Sequence, residues 1–226
     1  LELKNLDKDD REILTKKFVE EVILPQWTQL SSWNTLTRQT SQLDFGYLSQ
    51  HLVSLITGIR GNNQRGKGDD LEDGSEVKSA SCVDADDTPR WNNVNCGKET
   101  VSDIKEMMDN TPFLFFVLLD TTIRGGSILR CRVWVVRPAV DEHFRNVMIG
   151  WATKRERREI KSGNLQLHPP RWEKAQANIT TNTSGNLKLP MMYESQQMNL
   201  PDILVMKTIK FDEELMTNGL SESVHR

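Results

Sequence analysis

The sequence predicts an α/β domain: a small mixed β-sheet flanked by α-helices. Three observations point there. Apolar residues recur at helical spacing through residues 1–58. An unbroken apolar run, Phe113 to Leu119, is followed by an alternating one, Ile128 to Val136, as expected of a buried strand and its partner. Before both lies Asp69 to Ser81, a stretch with a tight-turn signal at Asp73-Gly74. At 226 residues the chain suits one domain. We read residues 1–58 as its helical part, 59–137 as its core and 138–200 as an elaboration within the same domain.

Taken in order, Asp7 is placed to cap a helix running to Leu24, with Asp10 three positions on. Its apolar stripe is Ile13, Leu14, Phe18, Val22 and Leu24, and Pro25 is its expected stop. Gln26 to Leu43 is polar around Trp27 and Trp33 and is expected to be irregular or a short helix. Phe45 to Thr57 reads as a second helix that Gly58 can end. Ile59 to Gly68 is rich in glycine and charge but lacks the spacing of a Walker loop; Arg60, Arg65 and Lys67 there are placed to follow a phosphate, and a plain flexible loop has the same pattern. Asp69 to Ser81 reads as a hairpin whose second strand carries Glu76 and Lys78.

Ser81 to Glu99 reads as a loop. Cys82 and Cys96 form no CxxC pair and have no histidine nearby, so zinc is unsupported. Thr100 and Asp103 cap a short helix with Ile104, Met107 and Met108 on its apolar side. On the strand Ile128–Val136, Leu129, Cys131, Val133 and Val135 share one face. Arg130 and Arg132 stand together on the other. Asp141 to Trp151 suits a helix, and Lys154 to Lys161 is the densest basic run. Asn164 to Leu189 alternates weakly and is rich in Asn and Thr, and Pro201 to Phe211 suits a last strand or short helix.

The composition, 27% charged and 37% hydrophobic, is that of a soluble globular protein. The three cysteines make no even disulfide framework and fit a reducing cytoplasm. No leader or membrane span is legible, since the longest apolar run is far too short. Net charge is −3, but its distribution is uneven. Residues 1–119 carry 13 Lys/Arg against 20 Asp/Glu; residues 120–188 carry 13 against 6. An acidic hairpin beside a basic later segment suits a protein that holds a cation at one place and phosphates at another.

The chemistry concentrates at Asp69–Ser81. Alternation points Val77 inward and sets Glu76 and Lys78 on the opposite face. A three-residue turn, Glu72 to Gly74, brings Asp70 opposite Glu76; a two-residue turn brings Asp69 instead. Two close carboxylates repel unless a cation separates them. Hard oxygen donors suit Mg²⁺, which also accepts substrate phosphates. Lys78 is placed to orient or activate water and to offset charge on a pentavalent phosphorus. The plain reading, a solvated acidic hairpin, has the same pattern.

Asp70 followed by Glu76-Val77-Lys78 resembles the signature of the PD-(D/E)xK nucleases. The run Ser79-Ala80-Ser81 after the lysine makes it similar to type II restriction endonucleases in particular. The proline of the motif is absent, and Asp69 stands in its place. The resemblance implies a restriction-endonuclease-like core, with Asp70 and Glu76 holding Mg²⁺ and Lys78 beside the attacked phosphate. It selects Asp70 over Asp69, though Asp69 stays a candidate ligand, and it suggests Glu21 as a further helical acid. It implies double-stranded DNA as substrate and a cognate DNA methyltransferase; two strands of opposite polarity then call for two active sites, hence a homodimer on a palindromic site. Candidate DNA contacts are Arg65, Lys67, Arg130, Arg132, Lys154, Arg155, Arg171 and Lys174, with residues 138–200 as the DNA-recognition elaboration and Arg171 as the first choice for reading bases. The rival readings are a repair or junction-resolving nuclease of the same fold and a DNA-binding protein without activity.

Overall fold

The computed structural model describes residues 2–63, 68–82, 89–121, 128–169, 178–181, 185–200 and 203–217, with backbone alone at 35, 178–181, 185–188 and 217. A five-stranded sheet runs in the order β1 (Glu76–Cys82), β2 (Leu114–Thr121), β3 (Leu129–Val136), β7 (Met191–Gln197), β8 (Met206–Phe211). β1 and β2 are parallel and the other neighbours antiparallel, so the sheet is mixed as expected. A parallel pair needs a crossover, and α4 (Val101–Asn110) lies in that connection. The short strands β4 (Leu167–His168), β5 (Asn178–Thr181) and β6 (Gly185–Lys188) form a separate sheet.

Helices cover both faces. α1 (Lys8–Phe18), α2 (Leu24–Thr37) and α3 (Phe45–Thr57) lie on one side, where Ile23, Leu24, Leu52 and Ile56 pack on Phe115, Val117, Val133 and Tyr193. α4 and α5 (Glu142–Glu156) lie on the other, where Met108, Phe144 and Trp151 pack with Phe116, Trp134 and Trp91. β2, buried along Leu114–Asp120, is the two-faced strand its apolar run predicts. The short α6 (Glu214–Thr217) follows β8. Among the described residues no helix is long and apolar enough to cross a membrane.

The caps act as the sequence suggests. Asp7 accepts from the Asp10 N–H at 2.9 Å, and Thr100 from the Asp103 N–H at 3.1 Å. Pro25 departs from expectation. The chain passes through a π-turn over Val19–Ile23 and continues as α2, with Pro25 in the first turn of that helix. A proline there has no N–H that the helix needs, so it starts a segment instead of ending one.

The second departure concerns Arg130 and Arg132. They share a face, as alternation requires, but it is covered: they are 2% and 1% exposed. Arg130 makes a two-pronged contact with Asp120, Nε to Oδ1 at 3.1 Å and Nη2 to Oδ2 at 3.0 Å. Arg132 Nη2 reaches the same Oδ2 at 2.9 Å, and its guanidinium lies 4.9 Å from the centre of the Trp134 ring. Glu194 on β7 stands 3.5 Å from Arg130 Nη1. Burial lowers Arg132 to about 10, against the pull of Asp120, so it stays charged at neutral pH. These arginines hold three strands together and do not offer a surface to DNA. Replacing Asp120 with Asn removes the anion both share; chemical denaturation should show a loss of about 3–5 kcal/mol.

Candidate active site

The expected hairpin is half present. Leu71 N–H donates to the Ser75 carbonyl at 3.1 Å, closing a turn over Glu72–Gly74. Gly74 takes a φ of +89°, and Asp73 accepts from the Ser75 N–H and hydroxyl at 3.0 and 2.9 Å. The residues before the turn, however, form no strand against β1. They are held from the other side by Arg60–Asn62: Glu72 N–H donates to the Arg60 carbonyl at 2.8 Å. Asn62 Nδ2 donates to the carbonyls of Asp69 and Leu71 at 2.8 and 2.9 Å. Buried Leu71 anchors the segment in the core.

The reason lies in Asp70. β1 is an edge strand, and the Glu76 N–H is spent on the Phe113 carbonyl at 3.1 Å. Strand alternation therefore turns the N–H and C=O of Val77 outward. Asp70 Oδ2 accepts that N–H at 2.8 Å, where a hairpin partner would have bonded. Gln50 of α3 donates to the other oxygen, Oδ1, at 2.6 Å. Asp70 is thus fixed by a strand amide and a helix side chain. Asp69 is exposed, with Oδ2 near the Gly74 turn.

Glu76 and Lys78 project together from β1, with Oε2 and Nζ 3.1 Å apart and side chains 17% and 13% exposed. Val77 between them packs in the α3-side core. Asp70, Glu76, Lys78, Gln50, Asn93 and Cys96 line one cleft of about 570 Å³. Burial pushes Glu76 up to about 7; Lys78 opposes that rise and the neighbouring Asp70 adds to it. Burial works to lower Lys78, but Cys96, Glu76 and Asp70 outweigh it, and its pKa is raised. Burial also raises Cys96. The thiol is therefore neutral at neutral pH, and Lys78 is an ammonium there.

Of the other candidates, Glu21 is on the exposed side of its helix, 3.8 Å from Lys17, and does not join the cleft. Arg155 is tied to Glu99 at 2.7 Å, and Lys154 is half-buried in the last turn of α5. Arg65, Lys67, Arg171 and Lys174 fall outside the described residues. Gln50, Asn93 and Cys96 are additions that no local pattern marks. Gln50 lies on a helix about twenty positions before its partner, and Cys96 arrives from a turn after β1.

Among the described residues no group of three or more His, Cys, Asp or Glu gathers as a ligand set. Asp70 and Glu76 with the outward carbonyl of Val77 offer a few hard oxygen donors, which suits a Mg²⁺ that keeps several of its waters. A dication there would also remove the repulsion between the two acids.

A mixed sheet between helices, with two acids and an amine at its open edge, defines a restriction-endonuclease-like α/β protein. Residues 32–207 match the family model of the MamI restriction endonuclease, and the chain belongs to that family. It is 33% identical over 196 residues to the type II restriction enzyme MamI of Microbacterium ammoniaphilum, an alignment covering 82% of this chain. The chain spans 62% of the length of that relative. No solved structure matches it.

The buried Glu76 has a stability consequence. Its folded pKa lies above its unfolded one, so its ionisation opposes folding above about pH 7 and ceases to do so below about pH 4.5. Without divalent ions, Glu76→Gln should be more stable than the wild type at pH 8, by about 1–3 kcal/mol. The difference should shrink steadily toward pH 5. Thermal melts in EDTA across that range measure it; a variant less stable at pH 8 contradicts the assignment.

Proposed function

We propose that this chain is a type II restriction endonuclease that hydrolyses double-stranded DNA at a specific sequence with Mg²⁺. The observation that carries the reading is the meeting of Asp70, Glu76 and Lys78 in one cleft at the open edge of β1. Family membership supports it, and the similar MamI is described as a type II restriction enzyme.

Asp70 and Glu76 would hold the ion, with the Val77 carbonyl beside them. When bound, Mg²⁺ supplies charge neutralisation at the phosphate and a water of lowered pKa. Gln50 keeps Asp70 in place through its 2.6 Å bond. Lys78, held as an ammonium, donates hydrogen bonds and offsets negative charge gathering on the phosphoryl oxygens. That assigns it orientation and electrostatic stabilisation, because a protonated amine is no base. Hydrolysis in line leaves 5′-phosphate and 3′-hydroxyl ends. Opposite strand polarities call for two such centres, hence a twofold dimer on a palindromic site. A cytoplasmic setting and a methyltransferase of matching specificity complete the proposal.

Unmethylated phage DNA incubated with the protein should give discrete fragments with Mg²⁺ and none with EDTA. Lys78→Ala should cut at least about 10²-fold more slowly while binding DNA with near wild-type affinity. Intact DNA in every lane refutes hydrolysis. Cutting confined to branched or damaged DNA favours the repair-type reading over restriction.

A further inference from the structure

Beyond Ser79 the cleft does not end. A second depression of about 770 Å³ continues from it, and Gly46 and Ser79 line both. Its walls are the outer edge of β1, the start of α3, the segment after Pro89 and the residues before β4. The lining is mostly polar. Gln42 Nε2 donates to Ser81 Oγ at 3.0 Å, and Gln166 Nε2 donates to Asn92 Oδ1 at 2.9 Å. Each of these amides keeps further hydrogen-bonding capacity. Arg90 lines the same groove, is exposed, and makes no ion pair among the described residues. Asp44 also lies there, so the groove is not uniformly positive.

A strand whose scissile phosphate sits at Asp70 and Glu76 must leave that cleft along the protein surface. Toward Ser81 it meets amides and a guanidinium, groups of the kind that contact DNA phosphates. We propose that this groove seats the sugar-phosphate backbone adjoining the cut bond, with Arg90 as the residue that neutralises a phosphate. The assignment rests on the nuclease reading above. It adds a contact outside the basic segment of residues 120–188, and it makes Arg90 a substrate-binding residue of the groove beside the cleft, not a lining residue of the cleft itself.

The test compares wild type, Arg90→Ala, Arg90→Glu and a control, Lys105→Ala, an exposed cation on α4. Binding to a fluorescent pool of mixed-sequence duplexes is measured in EDTA at several salt concentrations. Arg90→Ala should weaken binding about 3–10-fold and flatten the plot of log K against log salt by about 0.9. Arg90→Glu should weaken it more, and Lys105→Ala should match wild type. With Mg²⁺ and saturating phage DNA, single-turnover cutting by Arg90→Ala should stay within about threefold of wild type. Wild-type affinity and salt slope in both Arg90 variants overturn the groove assignment. So does a cleavage defect at saturation with binding intact, which would place Arg90 at the reacting centre. A wild type that binds but never cuts fails the nuclease reading alone, and the salt slopes still decide the role of Arg90.

Discussion

One hydrogen bond organises this protein: the Val77 amide to the carboxylate of Asp70, at 2.8 Å. The inner edge of β1 is zipped to β2 along its whole length. Its outer edge is the sort of free strand edge that proteins cover or block. Here a side chain occupies the place of a paired backbone. The choice has two effects at once. It keeps the edge open as a cleft, and it turns Asp70 toward Glu76. Gln50 on α3 completes the restraint, so the site depends on three separate pieces of chain meeting at one corner of the sheet.

The molecule contains two ionic clusters, and their contrast explains their uses. The one spanning β2, β3 and β7 pairs Arg130 and Arg132 with Asp120 and Glu194. Its formal charges cancel and it is sealed, so it fixes register. The one at the open edge sets Asp70 and Glu76 against Lys78. One negative charge is left over in a partly desolvated place, and burial raises Glu76 to about 7. A closed cluster that balances is structural. An open one with surplus negative charge, beside an ammonium, supports the proposed reading of a cation and an anionic substrate.

Much of this was legible from local pattern. Strand alternation places Val77 inward with Glu76 and Lys78 outward, and it sorts β3 into its two faces. Turn and capping residues mark Gly74, Asp7 and Thr100. Alternation says which residues share a face, though, and not what covers that face. Arg130 and Arg132 look like a basic surface until Asp120 and Glu194 arrive from neighbouring strands. Asp70 looks like a strand residue because the sequence does not show a carboxylate standing in for a backbone carbonyl. Pro25 looks like a stop because the π-turn that precedes it leaves no mark in composition. Gln50 and Arg90 reach their places only through the tertiary fold, in clefts that no spacing rule describes.

Membership of the MamI restriction endonuclease family and the corner of β1 support one account: acids from a turn and a strand, held together to share a divalent ion. Crystals soaked in Mn²⁺ and measured at a wavelength where manganese scatters anomalously examine it most directly. The account predicts an anomalous peak within coordination distance of both Asp70 and Glu76, absent from Glu76→Gln crystals. No peak at that corner under saturating Mn²⁺, or a peak unchanged in the variant, would contradict it.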